Sequence, residues 1–386
     1  MIPFDSEEFT EPQHEPFGEV SQYSIEAMIR TPAPQHKWLI DGFLLEKVTA
    51  LLAGAGGTGK SFLTLQMAFA LASGQPFLGL PTGSPKRVLM LNAEDPYDEA
   101  HRRVQAIVNE ARRSGCMEAW HEELLIRNIA YMPFEGMDCA IAKMDKNGPV
   151  ATDFVKRLQS TWRGHQWDLI VMDPIAMFRE GDENSNDQLS FFIREAKALR
   201  QAMDCTVLLV HHFNKSGMSA GAGELTGASV RGGSALISGV RSAIAMQTMQ
   251  KSEAKAFGLD PSENPKKYVR IEGVKANWGP QWDGMWLERG DGGVLLPSRA
   301  LNFADLDTKR AVRSATLSDL IFAQIERAEV DGNRHTRRSI RLDAGLNGPY
   351  RASRQEVLDA LDGLIESGRV VEKGERKGGK TLGLPE

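Results

Sequence analysis

Short apolar runs alternate with segments of helical periodicity over the first two thirds of the chain. The runs predict strands at Val48–Ala53, Arg87–Asn92, Ile126–Met132, Leu169–Asp173, Cys205–Val210 and Ala243–Met249. Between them, apolar residues spaced by three and four predict helices at Ser61–Ser73, Asp98–Ser114, Ala151–Trp162, Asp187–Ala202 and Gly233–Gly239. This alternation predicts an α/β fold, with a mostly parallel sheet covered by helices on both faces.

The pattern changes in the last third of the chain. Two segments, Tyr268–Lys275 and Gly284–Leu296, predict antiparallel strands at one edge of the sheet. After Pro297 three helices follow, and a two-stranded hairpin closes the chain. The helices are predicted at Leu317–Glu329, Arg334–Ala344 and Ser353–Ser367. Three helices and such a hairpin are typical of a small winged-helix domain.

Length and composition are those of a globular protein of two or three domains, with 386 residues of which 41% are hydrophobic and 25% charged. We predict an acidic tail at residues 1–36, a core domain at 37–300 and the winged-helix domain at 310–386. No apolar run reaches about 18 residues, and three scattered cysteines show no zinc or disulfide spacing, which predicts a cytoplasmic protein without a membrane partner. With a net charge of −5, nucleic acid would have to be bound by local patches or a lined channel, so the charge neither supports nor excludes DNA.

The segment from Gly54 to Ser61 fits the pattern G-x-x-x-x-G-K-[ST] and lies between a predicted strand and a predicted helix. Its glycines let consecutive backbone N–H groups turn toward phosphates, and the helix N-terminus adds the positive end of its dipole. Lys60 is expected to reach the β- and γ-phosphates, and the Ser61 hydroxyl is expected to bind Mg²⁺. The predicted ligands of ATP are Gly54, Ala55, Gly56, Gly57, Thr58, Gly59, Lys60 and Ser61.

A P-loop site also needs a carboxylate for the metal ion, and Asp173 at the end of a predicted apolar strand is the candidate. The next residue, Pro174, cannot act as the base that many hydrolysing P-loop enzymes place there. Because the carboxyl ends of parallel strands meet at the ligand, the base is expected after the strand that follows the P-loop helix. Glu94 is the first choice there and Asp95 the second, and a solvated acidic turn is the alternative interpretation.

At this point the motifs carry a family resemblance. The P-loop, the segment Ala93–Pro96, the strand ending in Asp173-Pro174 and the pair His211-His212 together resemble a RecA-like P-loop ATPase core. From about Trp38 to Pro297 the chain is similar to the hexameric plasmid replicative helicases of the RepA type. The resemblance implies a ring that binds ATP at subunit junctions and moves on single-stranded DNA, and it assigns the catalytic base to the glutamate of the Ala93–Pro96 segment, which is Glu94.

The resemblance also assigns roles near later strand ends. His212 is predicted to sense the γ-phosphate and to signal to a DNA-binding loop, and a buried core histidine is the alternative. Irregular segments follow Asp173 and His212, and they fit the paired loops that line a RecA-like ring. Arg179 and Lys215 in these segments are the predicted phosphate contacts, whereas plain surface loops are the alternative.

Two arginines lie just before the last parallel strand. Ring ATPases bring a cation from the neighbouring subunit to the γ-phosphate, where it neutralises charge in the transition state. By the family's pattern, Arg241 matches this arginine finger, Arg231 is the second choice, and Lys275 is a candidate assistant in trans. An ordinary exposed or ion-paired arginine is the alternative interpretation of Arg241.

Basic residues crowd the predicted winged-helix domain, which is not a fixed feature of the plasmid helicases. The predicted contacts to duplex DNA are Arg337, Arg338, Arg354 and Lys377, on the second helix, the entry to the third helix and the turn of the hairpin. Acidic residues nearly balance the basic ones in number, so a protein-docking domain is the alternative.

The combined interpretation is an ATP-hydrolysing DNA helicase or translocase that acts in replication of a mobile element. Two other classes of function stay open from the sequence. One is a regulatory ATPase of the RecA or KaiC kind that binds DNA or protein without unwinding. The other is a winged-helix replication initiator whose ATPase serves as an assembly switch.

Overall fold

The computed structural model describes residues 25–183, 185–212, 233–260, 262, 264–279, 281–298, 301, 303–344, 350, 352, 354–376 and 379–385. The chain divides into two compact units, Met1–Lys37 and Trp38–Glu386. The first unit contains helix α1 (Ile25–Arg30), in which Arg30 pairs with Glu26 at 2.9 Å. All elements named below belong to the second unit.

The strands of the second unit fall into one large sheet and small two-stranded pairs. Before the C-terminal region they are β1 (Trp38–Ile40), β2 (Leu44–Leu45), β3 (Thr49–Gly54), β4 (Val88–Asn92), β5 (Ile129–Pro133), β6 (Ala142–Asp145), β7 (Gly148–Ala151), β8 (Leu169–Asp173), β9 (Thr206–His212), β10 (Ser242–Thr248), β11 (Tyr268–Ala276), β12 (Met285–Arg289) and β13 (Leu295–Pro297). Among the described residues, nine strands form the large sheet in the order β13-β12-β11-β10-β3-β9-β8-β4-β5.

The large sheet is parallel over most of its width. Strands β5, β4, β8, β9, β3 and β10 run parallel, whereas β11, β12 and β13 join them as antiparallel neighbours at one edge. The P-loop strand β3 lies between β9 and β10, so its carboxyl end opens near the middle of the sheet. The α/β fold with a mostly parallel sheet, predicted from the alternation of strands and helices, is confirmed. The RecA-like character of the core stays a prediction.

Helices cover both faces of the sheet. They are α2 (Lys60–Ser73), α3 (Tyr97–Arg113), α4 (Ala119–Asn128), α5 (Phe154–Thr161), α6 (Asn186–Met203), α7 (Gly233–Gly239) and α8 (Lys251–Phe257). Strand β3 is buried throughout, and its alternate residues enter two separate cores, one packed by α2 and the other by α5, α6 and α7. Within the described ranges, none of the helices combines the length and the apolar character that spanning a membrane requires.

The structure differs from the sequence prediction at three places in this unit. Helix α4 and the β6–β7 hairpin were not predicted. The strand predicted at Ile126–Met132 is observed as β5, but it begins only at Ile129 because residues 126–128 belong to the end of α4. Helix α4 ends at Asn128, whose side chain donates to the carbonyl of Ala72 at 2.9 Å. The predicted strand Gly284–Leu296 is two strands, because a turn at Asp291–Gly293 reverses the chain.

The C-terminal region contains α9 (Phe303–Val330), α10 (Arg337–Leu342), α11 (Arg354–Glu366) and the hairpin β14 (Val371–Arg376) and β15 (Gly379–Gly383). Helix α9 starts earlier than predicted. Buried residues of the three helices and the hairpin, among them Ile321, Ile340 and Leu361, form a hydrophobic cluster separate from those of the sheet. The order of elements is the predicted one, and the winged-helix interpretation itself stays a prediction.

Candidate functional site

The ends of four neighbouring strands meet at the carboxyl edge of the sheet, and three of them carry a polar side chain. The register pairs Gly54 with His212 and Asn92 with Asp173, and these residues close strands β3, β9, β4 and β8. Their loops surround one cavity of about 310 Å³, lined by Gly56, Gly57, Gly59, Lys60, Ser61, Phe62, Glu94, Asp95, Arg103, Asp173, His212 and Arg289. Most of the site residues predicted for one subunit are therefore brought together.

The P-loop takes a conformation that depends on its glycines. Gly57 and Gly59 have φ of 72° and 98°, in the left-handed region that side chains disfavour, and α2 begins directly after Gly59. A Cβ on Gly54 would lie 2.7 Å from the carbonyl oxygen of Met246. The Thr58 hydroxyl donates to the carbonyl of Ala55 at 2.9 Å and so closes the loop on itself.

Lys60 is the buried cation of the cavity. Its Nζ donates to the carbonyls of Gly54 and Ala55, both at 3.0 Å, and lies 3.4 Å from Nδ1 of His212. Burial lowers the pKa of Lys60, and the negative charges of Asp173 and Glu94 oppose that shift. The predicted sensor His212 thus lies beside the ammonium of Lys60, and the charge of the predicted base Glu94 stabilises it.

Asp173 and Ser61 form the candidate metal site. The Asp173 side chain is buried and hydrogen-bonds with Ser61, while its Oδ2 has no hydrogen-bond partner among the described residues. Burial raises the pKa of Asp173 to about 6, and the charges of Asp95 and Glu94 add to the rise, whereas Ser61 and Lys60 oppose it. A buried carboxylate oxygen without a donor beside a hydroxyl fits Mg²⁺, which commonly takes one or two protein oxygens and completes its shell with phosphates and water.

The two acids considered as the catalytic base have different surroundings. Asp95 receives two hydrogen bonds from Arg103 at 2.7 and 3.0 Å, so its charge is already neutralised. Glu94 is exposed toward the cavity and forms no ion pair within the described part of the chain. The Asn92 side chain accepts from the backbone N–H groups of both residues and fixes this turn beside Asp173. Of the two, Glu94 is therefore the acid whose carboxylate is not paired with an arginine.

Two charged residues of the cavity were not predicted from the sequence. Arg103 comes from α3 and binds Asp95, and Arg289 comes from the end of β12 and donates to the carbonyls of Gly57 and Thr58 at 2.8 and 2.6 Å. Arg289 and the P-loop are more than 200 residues apart in the chain, so no local pattern signals their contact.

The predicted arginine finger lies at the other edge of the sheet. The backbone N–H of Arg241 bonds to the carbonyl of Thr49 at the start of β3, about 16 Å by strand rise from the P-loop end. Its guanidinium stacks over Trp278 at 5.5 Å. Lys275 lies nearby, and burial, Arg241 and Lys197 lower its pKa. Within one chain this basic cluster cannot reach the cavity, so any role in hydrolysis requires a second copy.

Of the two predicted contacts to single-stranded DNA, Arg179 and Lys215, the structure describes only Arg179. Arg179 is buried, and its guanidinium donates to the carbonyl of Asp182 at 2.7 Å. It therefore faces the protein rather than solvent, which corrects the prediction of an exposed phosphate contact at this position. Lys215 and Arg231 lie outside the described residues.

The C-terminal region pairs much of its basic charge internally. Arg337 donates to Glu372 at 2.7 Å and also binds Asp362, so it is not the free DNA contact that the sequence predicted. Arg338 and Arg354 are exposed, and Lys377 lies outside the described residues. The exposed positions of α11 carry the acids Glu356, Asp359 and Glu366, a charge that repels DNA phosphates.

Comparison with solved structures finds weak likenesses. One solved ATPase domain is 14% identical, with 66% of this chain and 85% of that chain covered and a TM-score of 0.44. A DnaB-like replicative helicase is 14% identical, covering 70% and 66%, with a TM-score of 0.46. A KaiC-like protein from Pyrococcus horikoshii OT3 is 16% identical, covering 69% and 100%, with a TM-score of 0.42. Likenesses of this size carry no information about substrate or partner.

The sequence comparison is stronger than the structural one. Residues 13–218 match the family described as "AAA domain", which is more than half of the chain. The matched residues include the P-loop, the turn at Glu94 and the strand that ends in Asp173. The chain belongs to the AAA domain family.

Proposed function

We propose that this protein is an ATP-dependent DNA helicase of the RepA type. It hydrolyses ATP at the subunit junctions of a hexameric ring and moves on single-stranded DNA during replication of a mobile element. The observation that carries the proposal is the meeting of Lys60, Ser61, Glu94 and Asp173 in one cavity at the end of the P-loop strand. These residues supply a phosphate-binding cation, metal-binding oxygens and a proton acceptor.

The P-loop binds the triphosphate. Its glycines leave the backbone N–H groups free to approach phosphate oxygens, and α2 directs the positive end of its dipole at them. Lys60, held beside the loop by two carbonyls, provides the charge for the β- and γ-phosphates.

Ser61 and Asp173 would hold Mg²⁺ through the hydroxyl and the buried carboxylate. The metal ion would supply positive charge that offsets the charge developing on the transferred phosphoryl group. Asp173 must be ionised to serve as a ligand, and the neighbouring Lys60 favours that ionised form.

Glu94 orients the attacking water and accepts its proton. It extends from a turn fixed by Asn92, and unlike Asp95 it is not neutralised by an arginine. His212 couples the chemistry to DNA because its ring lies beside the Lys60 ammonium and closes the strand that leads to residues 213–229. A change at the γ-phosphate therefore reaches that segment through a single side chain.

A neighbouring subunit completes the site. Arg241 and Lys275 lie at the far edge of the sheet, where they are out of reach of their own P-loop, and they carry positive charge that no described acid pairs. Placed against the cavity of the next subunit, Arg241 neutralises the transition state, a contribution of about 10³- to 10⁵-fold in comparable ATPases. This arrangement makes hydrolysis depend on assembly.

Two measurements test this function with the full-length protein. Native mass spectrometry is expected to show a hexamer that is favoured by ATP and Mg²⁺. A forked DNA duplex with a labelled strand is expected to be unwound only when ATP is hydrolysed. A protein that stays monomeric with ATP, or that hydrolyses ATP without separating strands, contradicts the helicase proposal and favours a regulatory ATPase.

For the C-terminal region we propose a role in protein docking. Its acidic α11 and the ion-paired Arg337 favour protein docking over reading of duplex DNA by the third helix. Binding of duplex DNA by the full chain and by an Arg338→Ala/Arg341→Ala double variant separates the two roles. Equal binding supports docking, whereas a clear loss in the variant supports the initiator alternative.

A further inference from the structure

The hairpin formed by β12 and β13, here called the P-loop strap (residues 285–297), contacts helices α2 and α3 beside the nucleotide site. Gln66 of α2 exchanges two hydrogen bonds with the backbone of Leu295, at 2.8 and 2.9 Å. Gly293 lies so close to Phe62 that a Cβ there would be 3.3 Å from the ring. Asp291 in the turn pairs with Arg113 of α3 at 3.2 Å. The strap lies outside the residues that match the AAA domain family.

Arg289 is the residue of the strap that touches the P-loop itself. Its Nη2 donates to the carbonyls of Gly57 and Thr58 at 2.8 and 2.6 Å, while its Nε donates to the carbonyl of Lys266 at 3.2 Å. A Cβ at Gly59 would lie 3.1 Å from Nη1, so glycine leaves room for the guanidinium. Burial lowers the pKa of Arg289, and no described carboxylate offsets that shift.

These contacts have a consequence for the loop amides. In a trans peptide unit the C=O and the N–H point in opposite directions. The carbonyls of Gly57 and Thr58 belong to the peptide units that carry the N–H groups of Thr58 and Gly59. An arginine that holds both carbonyls therefore fixes the direction of both N–H groups. The N–H of Thr58 donates to the carbonyl of Ala55 at 3.4 Å, an interaction that closes the loop around the position where phosphate oxygens bind.

We propose that Arg289 is a positioning residue of the nucleotide site, which fixes two peptide units of the P-loop in the conformation that receives phosphate. The proposal rests on the nucleotide binding assigned above and adds a residue from outside the family match. Arg289 also adds positive charge that no described acid neutralises, and this charge favours any anion in the cavity. Its contribution applies to ADP and ATP alike, because the amides hold both.

The test is equilibrium binding of fluorescent ADP and ATP to the full-length protein and to Arg289→Met. We expect both dissociation constants to rise about tenfold or more, since two hydrogen bonds from a charged donor are lost. At saturating ATP, kcat is expected to stay near the wild-type value while KM rises. In the nucleotide-free variant, peptides that cover residues 54–61 are expected to exchange amide hydrogen faster. Arg113→Ala is the matched control, because it releases the strap's turn without touching the P-loop.

Wild-type affinity in Arg289→Met, or equal losses in Arg289→Met and Arg113→Ala, would overturn the proposal. If Arg289→Met also lowers the melting temperature, Arg289→Lys provides the second test, because it keeps the charge and N–H donors. It must bind nucleotide more tightly than Arg289→Met, and equal weakening of both variants overturns the proposal. If the wild-type protein binds neither ADP nor ATP, the proposed function itself is refuted. That outcome differs from failure of the Arg289 proposal, in which the wild-type protein binds nucleotide and Arg289→Met binds it equally well.

Discussion

The nucleotide edge of the sheet and the C-terminal region are both rich in charge, but they differ in how it is paired. At the sheet edge, Lys60 and Glu94 form no ion pair within the described part of the chain, although both line one cavity. In the C-terminal region, Arg337, Arg369 and Lys373 each bind a carboxylate of the same region. Charged side chains that lie unpaired beside a cavity are candidates for binding or catalysis. Charged side chains that are paired with each other stabilise the fold or only keep the surface hydrated.

The largest difference is expected between substitution of an unpaired cation, Lys60, and of an ion-paired cation, Arg337. Lys60→Ala removes the phosphate-binding charge of the cavity, and we expect it to abolish ATP hydrolysis. Arg337→Ala removes an arginine that is already paired with Glu372 and Asp362, and we expect hydrolysis to be unchanged. Steady-state phosphate release measured on both variants tests the comparison, and substantial hydrolysis by Lys60→Ala would refute the site assignment.

The same contrast exists within the cavity between two adjacent acids. Glu94→Gln removes the unpaired carboxylate, so we expect kcat to fall by about 10²- to 10⁴-fold while nucleotide affinity changes little. Asp95→Asn weakens a pair with Arg103 and is expected to lower kcat less. Single-turnover hydrolysis and nucleotide titration of both variants show which substitution lowers kcat more. A larger loss of kcat in Asp95→Asn would transfer the role of base to that residue.

Asp173 predicts a pH-dependent stability of the metal-free protein. Its folded-state pKa of about 6 lies above the ordinary value of 3.8, so the cost of ionising it inside the protein builds up as the pH rises from about 4 to about 6 and is fully present above that. We therefore expect Asp173→Asn to raise the melting temperature at pH 8 in the presence of EDTA. The difference should shrink as pH falls from about 6 to about 4, because the folded wild-type protein then takes up a proton. A gain that grows toward low pH contradicts this account.

The smallest effects are expected in the C-terminal region. Arg337→Ala breaks partly exposed ion pairs, which contribute about 1 kcal/mol or less to the free energy of unfolding. Urea denaturation of this variant and of Arg338→Ala compares a paired with an exposed arginine. We expect a small loss for Arg337→Ala and none for Arg338→Ala. The opposite order would show that the pairs around Arg337 do not hold the region together.

Local patterns in the sequence predicted the parts of the site that lie at strand ends. The P-loop, Glu94 and Asp173 each follow an apolar run, and parallel strands bring their carboxyl ends to one edge. Arg103 and Arg289 were missed because their partners are set by packing of α3 and of the strap, which no local spacing encodes. Arg337 was misjudged for the same reason, since Asp362 and Glu372 approach it only in the folded chain.

The most direct test of the central claim is the rate of ATP hydrolysis by the full-length wild-type protein, measured with Mg²⁺ in the presence and absence of single-stranded DNA. We expect hydrolysis that requires Mg²⁺ and rises when DNA is added, because we propose that His212 links the γ-phosphate to the segment assigned to DNA. No hydrolysis under either condition, despite ATP binding, would contradict the claim that Lys60, Glu94 and Asp173 form a working ATPase site.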